Sequence, residues 1–371
     1  MKTLKLWGLF IALMCFAVVG PLAAQETTVT QPAPATDAAE PTAEATQVLL
    51  PGTWRLNGLR YEPQKWNNCG PATITNALSY FGYADNQDRA ASFLKPNGED
   101  KNVSPNQMVY FVNNQVPEIP VFALERVGGT LDTIKLLLFN NFPVIIEAGY
   151  DPEPDRLGWM GHYLLISGYD DLQRVIYTYD SYIGPDTTYD YDYIQEFWQH
   201  FNYTYIVVYE SGREPELLNL LGSDADIRQN TISALEKARE EAVADQTNKW
   251  AWFNMGTNFT NLGMYEEGAA AYDHAFNLGM PFRTLWYQFG PFEAYYHIGA
   301  YDKVITYAQA NLNDGGGHFV EETFYYGGLA REALGETDRA LNNYLEAARF
   351  NPNFTLAVEA RDRLQAQING S

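Results

Sequence analysis

Apolar and polar positions along this chain follow two different periods, and the change falls near residue 210. Between Val48 and Tyr209, short β-branched and aromatic runs alternate with turn residues, the pattern of half-buried and buried strands. The clearest strand candidates are "FPVIIEAGY", "HYLLISGYD", "RVIYTYDS" and "YTYIVVYES". One helix is expected to begin near Pro71, a second in "LDTIKLLLFNN" and a third in "DYIQEFWQHF". A helix followed by a mostly antiparallel sheet makes this half α+β.

Beyond the polar connector "SGREPELLNLLGSDAD" (211–225 with its flank), apolar residues fall at helical spacing through to Ile368 and strand runs stop. This half repeats. "NLGMYEEGAAAYDHAF", "HIGAYDKVITYAQANL" and "ALGETDRALNNYLEAA" align on Gly263, Gly299 and Gly335, spaced by 36 residues. Each unit has a turn glycine, then Tyr265, Tyr301 or Thr337, then the small or apolar Gly268, Val304 or Ala340. Tyr272 and Tyr344, with Ala275 and Ala347, share one face of the second helix. The repeats resemble the tetratricopeptide unit over about residues 250–353, with Gly290-Pro291 interrupting the first helix of the middle unit. "NTISALEKAREEAVA" is expected to open the solenoid and "NFTLAVEARDRLQAQI" to cap it.

The 371 residues exceed what one hydrophobic core usually serves. The amino terminus has Lys2 and Lys5 before an apolar run from Leu6 to Val19 and small residues up to Ala24, the layout of a secretory signal (1–24). That run is shorter than the ~20 residues a spanning helix needs, so no membrane span is expected after cleavage near Ala24. Residues 25–47, rich in Thr, Ala, Pro and acidic side chains, form a flexible linker. The expected domains are then 48–210, a connector at 211–225 and helical repeats at 226–371, exported to the periplasm or the medium. A formal net charge of −22 argues against nucleic acid as a partner, and none is expected.

Cys15 lies within the apolar signal run, so the mature chain keeps one cysteine, Cys69. A single thiol cannot form an intramolecular disulfide in a compartment where disulfides are normal. Cys69 precedes Gly70 and Pro71 at an expected helix start, where free backbone amides and the helix dipole stabilise a thiolate. Such a nucleophile needs a base, and the first half holds two histidines. His162 follows a glycine at the mouth of an apolar strand, whereas His200 in "EFWQHFN" reads as a satisfied core or surface residue. Asp180 ends the next strand, expected antiparallel to the histidine strand, and so can orient the imidazole. Gln64 lies close enough to donate a side-chain N–H to an oxyanion beside the Cys69 backbone N–H.

"PQKWNNCGPA", "GHYLLISGYDD" and "YTYDSYIGP" resemble the papain-like cysteine peptidases that trim double-glycine leaders from bacteriocin precursors, and in particular their stand-alone secreted relatives. The resemblance covers roughly residues 56–209 in the chain order Gln, Cys, His, Asp. It implies an α+β papain-like peptidase domain followed by an all-α tetratricopeptide-repeat solenoid. It further implies Cys69 as nucleophile, His162 as base, Asp180 as orienting carboxylate and Gln64 as oxyanion residue. Gln64 stands one residue closer to the cysteine than is usual, and no transporter domain follows. The expected partners are a peptide or protein substrate and a protein held by the repeats. The alternatives are an inactive binding module and an amidase or transglutaminase-like acyl transferase with the same triad. The acidic stretch "DPEPDRLGWMG" and the tyrosines of "DTTYDYDY" read as solvated loops as readily as a cleft border. Neither matches a calcium loop, so no metal and no cofactor is expected.

Overall fold

In the computed structural model, which describes residues 49–151 and 158–370, the β-branched runs pair into one antiparallel sheet. The expected signal and linker lie outside the described residues, as does 152–157 of the acidic stretch. In chain order the first half runs β1 (Thr53–Arg55), α1 (Cys69–Ser79), α2 (Gln87–Leu94), α3 (Pro105–Gln115), β2 (Val121–Arg126) and α4 (Leu131–Phe139). It continues with β3 (Val144–Tyr150), β4 (Met160–Asp170), β5 (Val175–Asp180), β6 (Gly184–Asp190), α5 (Tyr191–Gln199) and β7 (Tyr205–Glu210). The seven strands lie in the order β2-β7-β3-β4-β5-β6, with β1 added beside β4.

β3 is buried along its whole length and β4 over all but its two ends, which is why both read as unbroken apolar runs. One sheet face carries Ile146, Leu164 and Ile166 into a core closed by α4 and α5. The opposite face carries Ile145, Leu165 and Val208 against α1, α2 and α3. The cysteine helix is thus anchored by the sheet itself. Ile74, Ala77 and Leu78 of α1 are fully buried in that second core.

After β7, α6 (Glu214–Leu221) packs Leu217 and Leu221 into the sheet core, so this stretch is helical and attached to the first half. The remaining helices are α7 (Ile227–Ala244), α8 (Lys249–Asn261), α9 (Tyr265–Asn277), α10 (Thr284–Tyr287) and α11 (Gly290–His297). α12 (Tyr301–Asn313), α13 (Glu321–Ala333), α14 (Thr337–Phe350) and α15 (Thr355–Gly370) complete the chain. The pairs α8/α9, α10–α11/α12 and α13/α14 are the three repeats, flanked by α7 and α15. Gly263, Gly299 and Gly335 take φ of 78°, 75° and 76°, the left-handed conformation that ends each first helix. In each case the next amide bonds back into that helix: Met264 to Phe259, Ala300 to Tyr295 and Glu336 to Arg331, at 2.8–2.9 Å. In the middle repeat Pro291 sits in the first turn of α11, which splits the first helix into α10 and α11.

Side-chain volumes alternate between repeats. Tyr272 and Tyr344 press on Gly256 and Gly328, while the equivalent positions in the middle repeat hold Phe292 and Ala308 in one core. The large residue moves from one helix to the other and the volume is conserved. A Cβ on Gly328 would lie 2.5 Å from the Tyr344 ring, whose hydroxyl is held by Glu332 at 2.8 Å. Crowding of this kind costs ~1–3 kcal/mol, against the ~1 kcal/mol that alanine gains over glycine in a helix. Gly328→Ala is therefore expected to lower the melting temperature in a thermal-unfolding measurement, and a rise would contradict this packing account.

From Leu49 onward the two halves form one compact unit. Asn202 and Asn258 exchange reciprocal side-chain hydrogen bonds of 2.8 and 3.1 Å while fully buried. Asn351 and Asn353 donate to the carbonyls of Leu94 and Phe93. Between these two seams α10 lies beside the start of β4, where His162 stands.

Candidate functional site

Cys69 is the first residue of α1, with Asn68 at the cap position. Gly70 and Pro71 follow because the helix start is crowded. A Cβ on Gly70 would meet Val103 at 3.1 Å, and Pro71 needs no hydrogen-bonded amide in a first turn. Cys69 is half-buried as a residue, and its thiol interacts with the His162 side chain. Among the described residues it is the one free cysteine.

β4 and β5 pair with Leu164 opposite Asp180. His162 and Leu164 point to the same face, so His162 is the diagonal neighbour of Asp180 across the ladder. The register shifts between Ile166 and Gly168, a bulge that sets which residue faces Asp180. The result is a 3.0 Å contact between His162 Nε2 and Asp180 Oδ1. The other ring nitrogen is thereby left for the thiol.

Asp180 is 0% exposed and its carboxylate accepts five hydrogen bonds. Oδ1 takes His162 Nε2 and the backbone N–H groups of Tyr182 and Ile183, at 2.8 and 3.1 Å. Oδ2 takes the hydroxyls of Tyr150 at 2.9 Å and Tyr189 at 2.6 Å. Burial alone would raise the pKa of Asp180, but the charge and hydrogen bond of His162, then Tyr189 and the turn amides, hold it well below the usual carboxylate range. Burial likewise opposes charge on His162. The Asp180 carboxylate and then Cys69 outweigh it, and the imidazole is pushed up to about 10. At Cys69 burial raises the thiol, yet the hydrogen bond and charge of His162, with the amides of Gly70 and Tyr163, bring it below its ordinary value. Near neutral pH these shifts favour a thiolate–imidazolium pair.

Gln64 is fixed at both ends of its residue: its backbone N–H donates to Ser181 O at 2.8 Å, and its side-chain Oε1 accepts from Ser181 Oγ at 2.9 Å. With its oxygen taken by Ser181, Gln64 has its amide N–H2 left as a donor, and the residue lines the cleft that it shares with His162. The structure thus brings Cys69, His162 and Asp180 together and puts Gln64 on the same cleft. His200 lies elsewhere, stacked 4.1 Å from Trp250 with its Nδ1 accepting from Trp159 Nε1 at 3.1 Å. Burial, helped by Lys249, lowers it to about 3, so it stays neutral at the seam between the halves. Among the described residues no group of three or more His, Cys, Asp or Glu is arranged to hold a metal ion.

Several site residues carry no sequence signal. Ser181 orients Gln64. Tyr150 clamps Asp180 and lies 4.3 Å ring to ring from His162. Gln87, 1% exposed, accepts from Lys65 N–H and Asn68 Nδ2 and donates to Pro63 O and Glu62, so it holds the loop that carries Gln64 to Cys69. The reading of "DTTYDYDY" as a solvated loop is corrected in part: Tyr189 is on β6 and Tyr193 stacks on it at 5.1 Å. Trp159 and Met160 of the acidic stretch are half-buried. Trp159 stacks on Phe201 at 5.8 Å, and Met160 opens β4. Only alternation within a strand could have signalled Tyr189, because Thr187 and Tyr189 fall on one face.

Residues 56–210 match the model of the Peptidase_C39 like family. No curated protein sequence matches the chain. Among solved structures the chain is similar to MamA, at 16% identity over 39% of this chain and 85% of that one, with a TM-score of 0.34. It is also similar to MamA 41-end from Desulfovibrio magneticus RS-1, at 15% identity over 42% and 96%, TM-score 0.31. A third is YrrB, described as a TPR protein with an unusual peptide-binding site, at 17% identity over 40% and 89%, TM-score 0.21. Residues 56–210 of this chain thus match the Peptidase_C39 like family model over a helix-flanked antiparallel sheet of α+β class, followed by a solenoid of tetratricopeptide-like helix pairs.

Proposed function

We propose that the protein is an exported cysteine peptidase in which Cys69 attacks a peptide carbonyl. His162 carries the thiol proton and returns it to the leaving amine, so that an acyl-enzyme forms on the sulfur as the C–N bond breaks. Water then attacks the thioester, His162 takes its proton, and the acid product leaves with Cys69 regenerated. Asp180 holds the imidazolium in place, and Gln64 with the Cys69 backbone N–H faces the developing oxyanion. This reading rests on one observation above the others: His162 bridges a helix-start thiol and a buried carboxylate that accepts five hydrogen bonds. The repeats hold a protein partner or substrate beside the site. Export is carried by Lys2, Lys5 and the apolar run that follows in residues 1–24.

The pH dependence follows from the directions of the shifts. The thiol is held below its ordinary value by the His162 charge and hydrogen bond, so the thiolate persists to lower pH than in a free cysteine and is lost as acid protonates Cys69. His162 is raised to about 10, so the general acid survives until pH passes that value. Peptide hydrolysis is expected to follow a bell with its alkaline limb near pH 10, measured as kcat/KM on a peptide mixture. Labelling of Cys69 by iodoacetamide is expected to keep only the acid limb, since alkylation needs no general acid. A thiol that labels as a free cysteine does, with its midpoint near ~8.5, would overturn the ion pair and the peptidase reading.

A further inference from the structure

The cleft in front of His162 is built by both halves of the chain. Its volume is about 690 Å³, within the ~300–1,000 Å³ of sites that enclose small ligands, so it receives a short stretch of chain and no folded domain. From the sheet half come Gln64 and His162 with the aromatic side chains of Trp66, Tyr150 and Tyr182. From the helical half come Trp286 and Tyr287 of α10 and the Asp314–Gly316 turn after α12. Trp66 is 69% exposed and Tyr182 is 47% exposed, a large aromatic investment at a rim open to water.

The helical wall is preformed. A Cβ on Gly316 would lie 2.1 Å from the Trp286 ring, so the glycine turn lies directly against that indole. Tyr287 covers Gly161, the residue before His162: a Cβ there would meet Tyr287 at 2.9 Å and Phe201 at 2.8 Å. The Tyr287 ring stands edge-on to Trp159 at 5.9 Å and 82°. One aromatic side chain of the repeats therefore borders the cleft within one residue of the base.

We propose that the repeats build the side-chain pocket of this cleft, which takes an extended peptide bearing a large apolar or aromatic residue beside the bond under attack, with Tyr287 setting the preference. This deepens the peptidase reading and rests on it. The physical basis is burial: Trp286, only 6% exposed, backs the wall, and a large apolar side chain on the substrate removes Tyr287 and Trp66 surface from water, which an alanine there does not.

The test uses the full chain and a set of peptides identical except for Phe or Ala beside the cleaved bond, that bond being located first by mass spectrometry of a digested peptide mixture. The ratio of kcat/KM for the Phe and Ala peptides is expected to be roughly 10- to 200-fold in the wild type. It is expected to fall at least tenfold in Tyr287→Ala and to be retained in Tyr287→Phe, which keeps the ring. A ratio is insensitive to any general loss from a loosened His162, since that loss affects both peptides equally. A wild-type ratio near one, or a Tyr287→Ala ratio within twofold of wild type, overturns the pocket while leaving the peptidase reading standing. A chain whose Cys69 labels but which cuts no peptide overturns the peptidase reading and the pocket with it.

Discussion

Replacing His162 with alanine is expected to lower iodoacetamide labelling of Cys69 at pH 7, by up to roughly 30-fold for a wild-type thiol fully ionised there. Without the imidazolium the thiol returns to at least the free value near ~8.5, where only a few per cent is thiolate at neutral pH. Burial, the largest opposing influence on Cys69, would push it higher still. Peptide turnover is expected to fall further, on the order of 10³-fold or more, because the same residue also protonates the leaving amine and members of such a unit act together. The sheet should survive the change. β4 is paired through its backbone to β3 on one side and β5 on the other, so the ladder does not depend on the histidine side chain. Labelling that stays within a few-fold of wild type in a variant of unchanged circular dichroism would show that the thiol is not activated by this base.

The second large effect lies at Asp180, where two substitutions separate folding from chemistry. Asp180→Ala removes the acceptor for Tyr150, Tyr189, His162 and two backbone amides at once, at a position with no solvent contact. Each buried donor left unpaired costs ~1–3 kcal/mol, and even with partial relaxation the total is expected to exceed about 4 kcal/mol. Chemical denaturation should show it as a lowered midpoint. Asp180→Asn keeps an oxygen for His162 and the amides and turns an amide toward two hydroxyls that can rotate to accept, so it is expected to fold. It lacks the charge that raises His162 to about 10. Loss of that charge moves the imidazole down toward its ordinary ~6.5, which shifts the alkaline limb of the activity profile to lower pH. Turnover is expected to drop by roughly 10²- to 10⁴-fold. An unchanged alkaline limb in Asp180→Asn would show that the carboxylate does not set the imidazole.

These expectations differ in origin. The Cys69 helix start, the glycine before His162 and the strand-end Asp180 are local features, visible as short motifs because each is fixed by its own helix cap or strand end. The partners that tune them are not local. Tyr150 and Tyr189 reach Asp180 from two other strands, and Ser181 meets Gln64 across 117 positions. Gln87 braces the nucleophile loop from a helix whose sequence carries no chemical signature.

The chain by itself determined the change of period near residue 210, the 36-residue repeat and the order Gln64, Cys69, His162, Asp180. The first two follow from what a residue does to its own backbone and nearest neighbours: periodicity selects helix or strand, and glycine permits the left-handed turn. Only the tertiary structure decided that the repeats close one side of the cleft. Contacts such as Tyr287 on Gly161 join residues more than a hundred positions apart. Side-chain packing between separate elements sets such pairs, and it leaves no period in the sequence.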